Sequence, residues 1–404
     1  MTYPTFLLRP IAFLAVSLAS IFATSLYAQT LQVSVKNSSF MQRHEIIELD
    51  AHRITSVLGN EVIVRDASGI EQPCQFTHDN KFLIYVSVRP KGEATYTLYK
   101  GKTTLSQRYV GGRQYPERAD DLSFENDKIG FRLYGPATQK KGEKAYGQDV
   151  WVKRAPELML DSIYALHFSK NEEMDRLRKE GKKHEADSLG TATSYHLDHG
   201  LGMDCYAVGP TLGCGTPALM RGGQLLFPWC YERYEILDNG PLRFTVLLHY
   251  GEMHGAREHR LITADRGSHF FRTTVWYDDL RQASSLAAGI VLRPADTESI
   301  AMGKNYAAYA DPTMYPDKHN SQIFVAVAFP DGVNTISKLP STDAGNAGHA
   351  VGIVRQYQGK PFTYYFGAAW SDYDIRTFEE WELHVQTFLR QCSLPLSVQI
   401  IQKK

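Results

Sequence analysis

The stretch Arg233–Met253, RYEILDNGPLRFTVLLHYGEM, and its continuation Glu258–Asp279, EHRLITADRGSHFFRTTVWYDD, decide the fold class. Asn239-Gly240-Pro241 reads as a turn, because glycine takes backbone angles closed to other residues and proline cannot donate to a sheet ladder. After the turn the residues alternate. Arg243, Thr245, Leu247 and His249 fall on one face, and Phe244, Val246, Leu248 and Tyr250 on the other. A period of two sustained over that length predicts antiparallel strands with one face on a core.

The same texture extends in both directions. Downstream of residue 121 it recurs in KIGFRLYGP, DVWVKR, GIVLRP, QIFVAVAFP, HAVGIVRQYQ and PFTYYFGAAW. Upstream, LQVSVKN, EIIELDA, EVIVRDASG, KFLIYVSV and ATYTLYK are separated by turns at Asn60, Gly69 and Gly92. The chain is therefore expected to be all-β, a large antiparallel β-supersandwich with a few short helices. Residues 29–110 are expected to form an N-terminal β-sandwich portion and 111–404 the main domain, with the polar, Arg-rich stretch 101–120 as a linker. Residues 169–190 are dense in charge and lack an apolar stripe, so they read as an exposed helical or irregular insertion. Thr377 and Glu380 form a capping box opening a helix over 377–391. Phe378, Trp381, Val385 and Phe388 recur along it at helical spacing, Pro395 ends it, and LSVQII supplies a last strand.

At 404 residues the chain suits one large β-domain or two medium ones. Arg9, the apolar run IAFLAVSLASIFATSLYA and small residues at Ser25 and Ala28 predict a signal peptide over 1–28. The expected location is periplasmic or secreted, with no membrane insertion after cleavage. Without Arg9 there remain 43 basic and 44 acidic residues. So even a balance lacks the basic stripe that nucleic acid requires, and no nucleic-acid partner is expected. The five cysteines, Cys74, Cys205, Cys214, Cys230 and Cys392, have no regular spacing and imply no disulfide framework, although one bridge among Cys205, Cys214 and Cys230 is open.

One segment differs in kind. Ser194–Gly215, SYHLDHGLGMDCYAVGPTLGCG, holds two His, two Asp, two Tyr, two Cys and five Gly in 22 residues. Such glycine content excludes a regular helix and permits left-handed turns and close backbone approach, so polar groups are displayed on a loop. His196, His199, Asp198 and Asp204 also carry ligand atoms for a divalent cation. His-x-x-His on a loop matches no zinc spacing, however, so no metal site is predicted and the cofactor is left open. Arg243 and His249, on an otherwise apolar strand, need carboxylate partners, solvent or a cleft. Asn126 opens a hairpin turn ahead of Arg132 and Tyr134, and Trp370 ends a strand where an aromatic ring could stack on a sugar.

The segments FENDKIGFRLYGPATQ…YGQDVWVKR, YHLDHGLGMDCYAVGPTLGCG, EILDNGPLRFTVLLHY and FEEWELHV…LPLSV together resemble one exported bacterial family catalogued as a domain of unknown function (number 4861). The resemblance spans roughly residues 32 to 400. It implies a setting among enzymes that dismantle acidic plant and algal polysaccharides. The strand texture also resembles the galactose-mutarotase-type supersandwich shared by polysaccharide lyases, hydrolases and epimerases.

From residue chemistry, the first expectation is an exported carbohydrate-active enzyme: a lyase that cleaves uronate-containing oligo- or polysaccharide by β-elimination. Arg243 would neutralise the carboxylate, His196 or His199 would take the C5 proton, and Tyr195 or Tyr206 would protonate the leaving oxygen. His249, Asn126, Arg132, Tyr134 and Trp370 would contact substrate. A glycoside hydrolase using Asp198 and Asp204, with Asp127 and Glu232 in reserve, or a sugar epimerase, is the alternative on the same scaffold. A non-catalytic glycan-binding protein is the third.

Overall fold

The computed structural model describes Met1 and residues 29–293, 299–314, 320–341 and 347–403. The expected signal peptide lies outside the described residues apart from Met1. The chain is mostly β, built from antiparallel sheets with a few short helices, as the alternating segments predicted.

The N-terminal part is a small sandwich. Thr30–Lys36, Glu93–Lys100, Val62–Asp66 and Glu71–Gln72 form one sheet, and Arg43–Asp50, Lys81–Val88 and Cys74–Phe76 the other. Val33, Val35, Phe82, Ile84, Val86 and Leu98 fill the space between them and are fully buried. A helix not read from the sequence, Ala51–Leu58, closes one side. It is capped by the Asp50 carboxylate, which accepts from His52 and Arg53 N–H groups, and it buries Ile54 and Leu58, four residues apart. Two boundaries are corrected. The strand Ser397–Lys403 pairs along its length with Thr30–Lys36, so the end of the chain belongs to the N-terminal sheet rather than to the main domain. The expected linker contains the strand Val110–Tyr115, which pairs with Asp121–Asn126.

The larger part has an eight-stranded sheet facing two five-stranded sheets. In the eight-stranded sheet Arg233–Asn239, Arg243–Met253, Ala256–Asp265 and Phe270–Asp278 lie in succession. Phe244, Val246 and Leu248 are fully buried, as their alternation required. Aromatic rings knit the layers: Phe124 stacks on Phe244 at 5.5 Å, and Phe131 meets Phe271 at 4.9 Å and Phe366 at 4.7 Å. On the outer face of the large sheet lies the helix Phe378–Ser393, with both bonds of its capping box formed. Trp381 is buried there, stacked on Phe270 at 5.4 Å and donating its indole N–H to Val325 O.

The charged segment forms two helices, Asn171–Lys179 and Lys183–Thr193, after a third, Leu160–Phe168. The N-terminus of that third helix rests on a buried carboxylate: Glu125 accepts from the Met159 and Leu160 N–H groups, both at 2.7 Å, and pairs with buried Lys153. An anion there satisfies orphan N–H groups and the helix dipole together. All five cysteines are free, so the bridge left open among Cys205, Cys214 and Cys230 is not formed.

Candidate functional site

Glycine fixes the position of the 194–215 loop. Gly202, at φ +134°, lies so close to the strand Asp149–Lys153 that a Cβ would stand 2.0 Å from Val152 O. Gly213, at φ +55°, meets Gln148 O in the same way at 2.2 Å. The two contacts pin the loop against one strand and turn Asp204, Tyr195 and His196 toward a polar group beneath.

At the centre of that group is Arg132, almost wholly buried. Its Nη2 donates to Asp204 Oδ2 at 2.6 Å and to the Asp149 carboxylate, and Asp121 lies 3.8 Å from its Nε. The Tyr134 hydroxyl donates to Asp149 Oδ2 at 2.8 Å, and rings of Trp151 and Tyr195 flank the guanidinium at 5.2 and 5.7 Å. Burial raises the Asp121 carboxyl to about 6 against the lowering pull of Arg132 and Arg118. Burial also raises Asp149, with the neighbouring Asp204 charge adding to the effect and Arg132 opposing it. Arg132 Nε and Nη1, Asp121 Oδ2, Asp204 Oδ1 and the Tyr206 hydroxyl are buried with no hydrogen-bond partner among the described residues.

The group opens at His196. Its Nδ1 bonds Asp204 O at 2.9 Å and lies 3.7 Å from Asp204 Oδ2, which holds the proton on Nδ1. Nε2 then carries the lone pair and has no partner among the described residues, on a side chain about one-third exposed. Beside it Tyr195 packs between His167, at 4.0 Å, and His196, at 4.5 Å, and its hydroxyl accepts from Arg118 Nε at 3.0 Å. Arg118 is part-exposed, and its ion-pair partner Asp121 lies 3.8 Å away. Sequence reading missed this guanidinium because it sits in the stretch taken as a linker.

Five of the predicted residues thus come together: Tyr195, His196, Asp204, Arg132 and Tyr134. The others do not join them as expected. His199 is turned away, Nε2 bonding Ser194 O at 2.9 Å. Asp198 organises the turn, accepting from Gly200 and Gly202 N–H groups and from Arg154 Nε at 2.5 Å, so it is not a free partner for Asp204. Tyr206 is buried, beside Arg293. Trp370 is core, its indole N–H donating to Asn320 O, with Arg154 over the ring. Asn126 clamps its hairpin to the next turn, donating to Asp265 O and Ser268 O while accepting from Lys128 and Ile129 N–H groups.

Arg243 is the main correction. Its guanidinium is 4% exposed and taken up by Asp265 on one edge and Glu48 on the other, at 2.6–2.8 Å. Glu48 belongs to the N-terminal sandwich, so the pair joins the two parts of the molecule instead of awaiting a substrate. Desolvation opposes its charge, yet the two carboxylates hold the guanidinium proton firmly in place. His249 bonds His259 at 2.9 Å and Glu235 at 3.3 Å, again away from the loop. Among the described residues, no group of three or more His, Cys, Asp or Glu side chains could hold a metal ion, and no helix is long and apolar enough to cross a membrane.

A second recess, of about 270 Å³, lies at the ends of the strands Arg243–Met253 and Ala256–Asp265. Trp229, 45% exposed, faces it with Glu232, Glu252 and His254, over a floor of Tyr250, Tyr277 and Glu258.

A family model for a domain of unknown function, DUF4861, matches residues 35–398. The chain belongs to the DUF4861 family. It is 26% identical over 336 residues to the uncharacterized protein P7 of Formosa agariphila, covering 79% of this chain and 77% of that one. Among solved structures it is similar to an alpha-mannosidase from Enterococcus faecalis, with TM-score 0.48 and 8% identity over 92% of the chain. A glycosyl hydrolase family 38 protein from the same organism gives 0.48 and 9%. The chain spans about half the length of these two, 46% and 47%.

Proposed function

We propose that the protein acts on an acidic saccharide by β-elimination at the His196 group. The observation that carries the reading is the His196 imidazole, its Nδ1 held by Asp204 and its Nε2 lone pair free at the surface of a buried charged cluster. In this scheme Nε2 takes the C5 proton of a uronate. The C5–H electron pair forms the C4–C5 double bond, and the O4 glycosidic bond breaks with a proton from the Tyr195 hydroxyl. Arg118, rather than Arg243, meets the C6 carboxylate, since a guanidinium grips a carboxylate through two parallel bonds and stabilises the charge that develops. Arg132 is a positioning residue: it holds Asp204, and Asp204 holds His196.

The test is a panel of uronate glycans followed by ultraviolet absorbance of the unsaturated product. Absorbance growth in the parent that is lost in Asp204→Asn and Arg118→Met supports the scheme. A parent silent across the panel overturns it. The same reading puts the protein in the periplasm or outside the cell, with a mature chain starting at Gln29, which N-terminal sequencing of secreted material checks.

The exposed Trp229 beside Glu232 favours a second reading, saccharide binding or hydrolysis at the other recess, because an indole face stacks on a sugar ring and carboxylates accept its hydroxyls. Reducing-end release without absorbance, abolished by Glu232→Gln, would select hydrolysis. Affinity lost in Trp229→Ala with no turnover would select binding.

A further inference from the structure

A third recess, of about 570 Å³, runs between the N-terminal sandwich, the turn after Asp265 and the helix Phe378–Ser393. That volume is within the ~300–1,000 Å³ of small-molecule sites. Four permanent cations line it, Arg43, Lys128, Arg266 and Arg272, against two carboxylates, Glu45 and Asp265. Several of these are already committed: Arg43 to Glu45 at 2.6 Å, Lys128 to Asp374 at 2.8 Å, and Asp265 to Arg243. Arg266 and Arg272 have no carboxylate partner among the described residues. Arg266 is held in place all the same, its guanidinium between the rings of Tyr109, at 3.4 Å, and Tyr85, at 4.3 Å. Gly267 makes room for this arrangement, since a Cβ there would stand 2.8 Å from the Tyr85 ring. A guanidinium stacked on both faces keeps its N–H edge for an oxyanion and loses little freedom on binding one.

His269 adds a second, independent sign. It is 5% exposed and lines the recess, with Nε2 bonded to Asp374 at 3.0 Å and Nδ1 buried without a partner. A buried ring nitrogen left open costs free energy unless something pairs with it. Phe388 and Tyr365 supply an apolar wall beside Arg272.

We infer that this recess binds an acidic saccharide, with its carboxylate or sulfate on Arg266 and Arg272 and a neighbouring hydroxyl on His269 Nδ1. The site shares no residue with the His196 group, and the inference does not need that group to be catalytic.

Titration calorimetry on the mature chain would use a galacturonate trisaccharide, a sulfated galactose trisaccharide, the neutral galactose trisaccharide and sodium sulfate. At least one acidic sugar is expected to bind saturably, with affinity reduced tenfold or more in Arg272→Gln and Arg266→Gln. Which acidic sugar binds distinguishes uronate from sulfate ester. If Arg266→Gln fails to fold, Arg272→Gln carries the test alone, because its side chain has no ion-pair or hydrogen-bond partner among the described residues to lose. Equal binding of the neutral sugar, affinity undiminished in Arg272→Gln, or sodium sulfate matching the sugars would overturn the inference.

Discussion

Arg132→Met tests the cluster beneath the 194–215 loop. The substitution keeps most of the volume and removes the cation that serves Asp149, Asp204 and Asp121. Each charge pair at ~4 Å is worth about 4 kcal/mol at an effective dielectric of ~20. The full sum is not lost, because an abandoned carboxylate takes up a proton instead. At pH 7 that costs about 1.4 kcal/mol for each unit between the pH and the carboxyl's own value, hence about 1.4 kcal/mol for Asp121, already near 6, and up to about 4 kcal/mol for a carboxyl at an ordinary ~3.9. A loss of about 3–5 kcal/mol at pH 7 follows, the range seen when one partner of a buried pair is removed. The sign with pH is fixed by the same step. Protonation becomes easier as pH falls, so the deficit against the parent should narrow by roughly 1.4 kcal/mol per unit and nearly close toward pH 4–5. Urea unfolding of both proteins at pH 7 and pH 5 measures this. A deficit below about 1 kcal/mol at pH 7, or one unchanged at pH 5, would refute the reasoning.

Other outcomes follow from the same structure. His349 is buried and accepts the Leu212 N–H on Nε2, and burial depresses it to about 4. The unfolded chain therefore binds a proton below pH 6.5 that the fold refuses, and about 3 kcal/mol of stability should disappear between pH 6.5 and 4. His349→Gln should flatten that slope in acid unfolding curves. Arg243→Met should cost about 3–5 kcal/mol in thermal or urea unfolding while leaving turnover at the His196 group intact, since its partners join the two parts of the molecule; a change in turnover without a change in stability would return Arg243 to the site. Thr377→Ala should cost about 1 kcal/mol by removing half of the capping box.

Local signals in the sequence were sufficient for most of the architecture. Alternation around Phe244 and the box at Thr377 each need only a few neighbouring residues, and both stand as read. The closing of Thr30–Lys36 by Ser397–Lys403 depends on a pairing between the two ends of the chain, to which no local period points. Residue chemistry drew attention to the loop in which Tyr195, His196 and Asp204 lie together, because its glycines and polar side chains exclude a plain strand. Arg243 was misassigned for the opposite reason. An arginine on a core strand reads the same whether it awaits a substrate or a carboxylate of another sheet, and Glu48 lies nearly 200 positions upstream. Arg118 and Trp229 sit in segments with no periodicity, where only the folded chain shows what faces what.

The central claim is that the free nitrogen of His196 removes a proton from an acidic sugar. The most direct measurement is the initial rate of unsaturated-product formation by the parent and by His196→Gln on whichever uronate polymer the parent cleaves, with unfolding curves matched. A rate lower by about 100-fold or more in the variant is predicted, the usual contribution of a positioned base. A variant that retains the parent's rate, or a parent that forms no such product from any polymer, would contradict it.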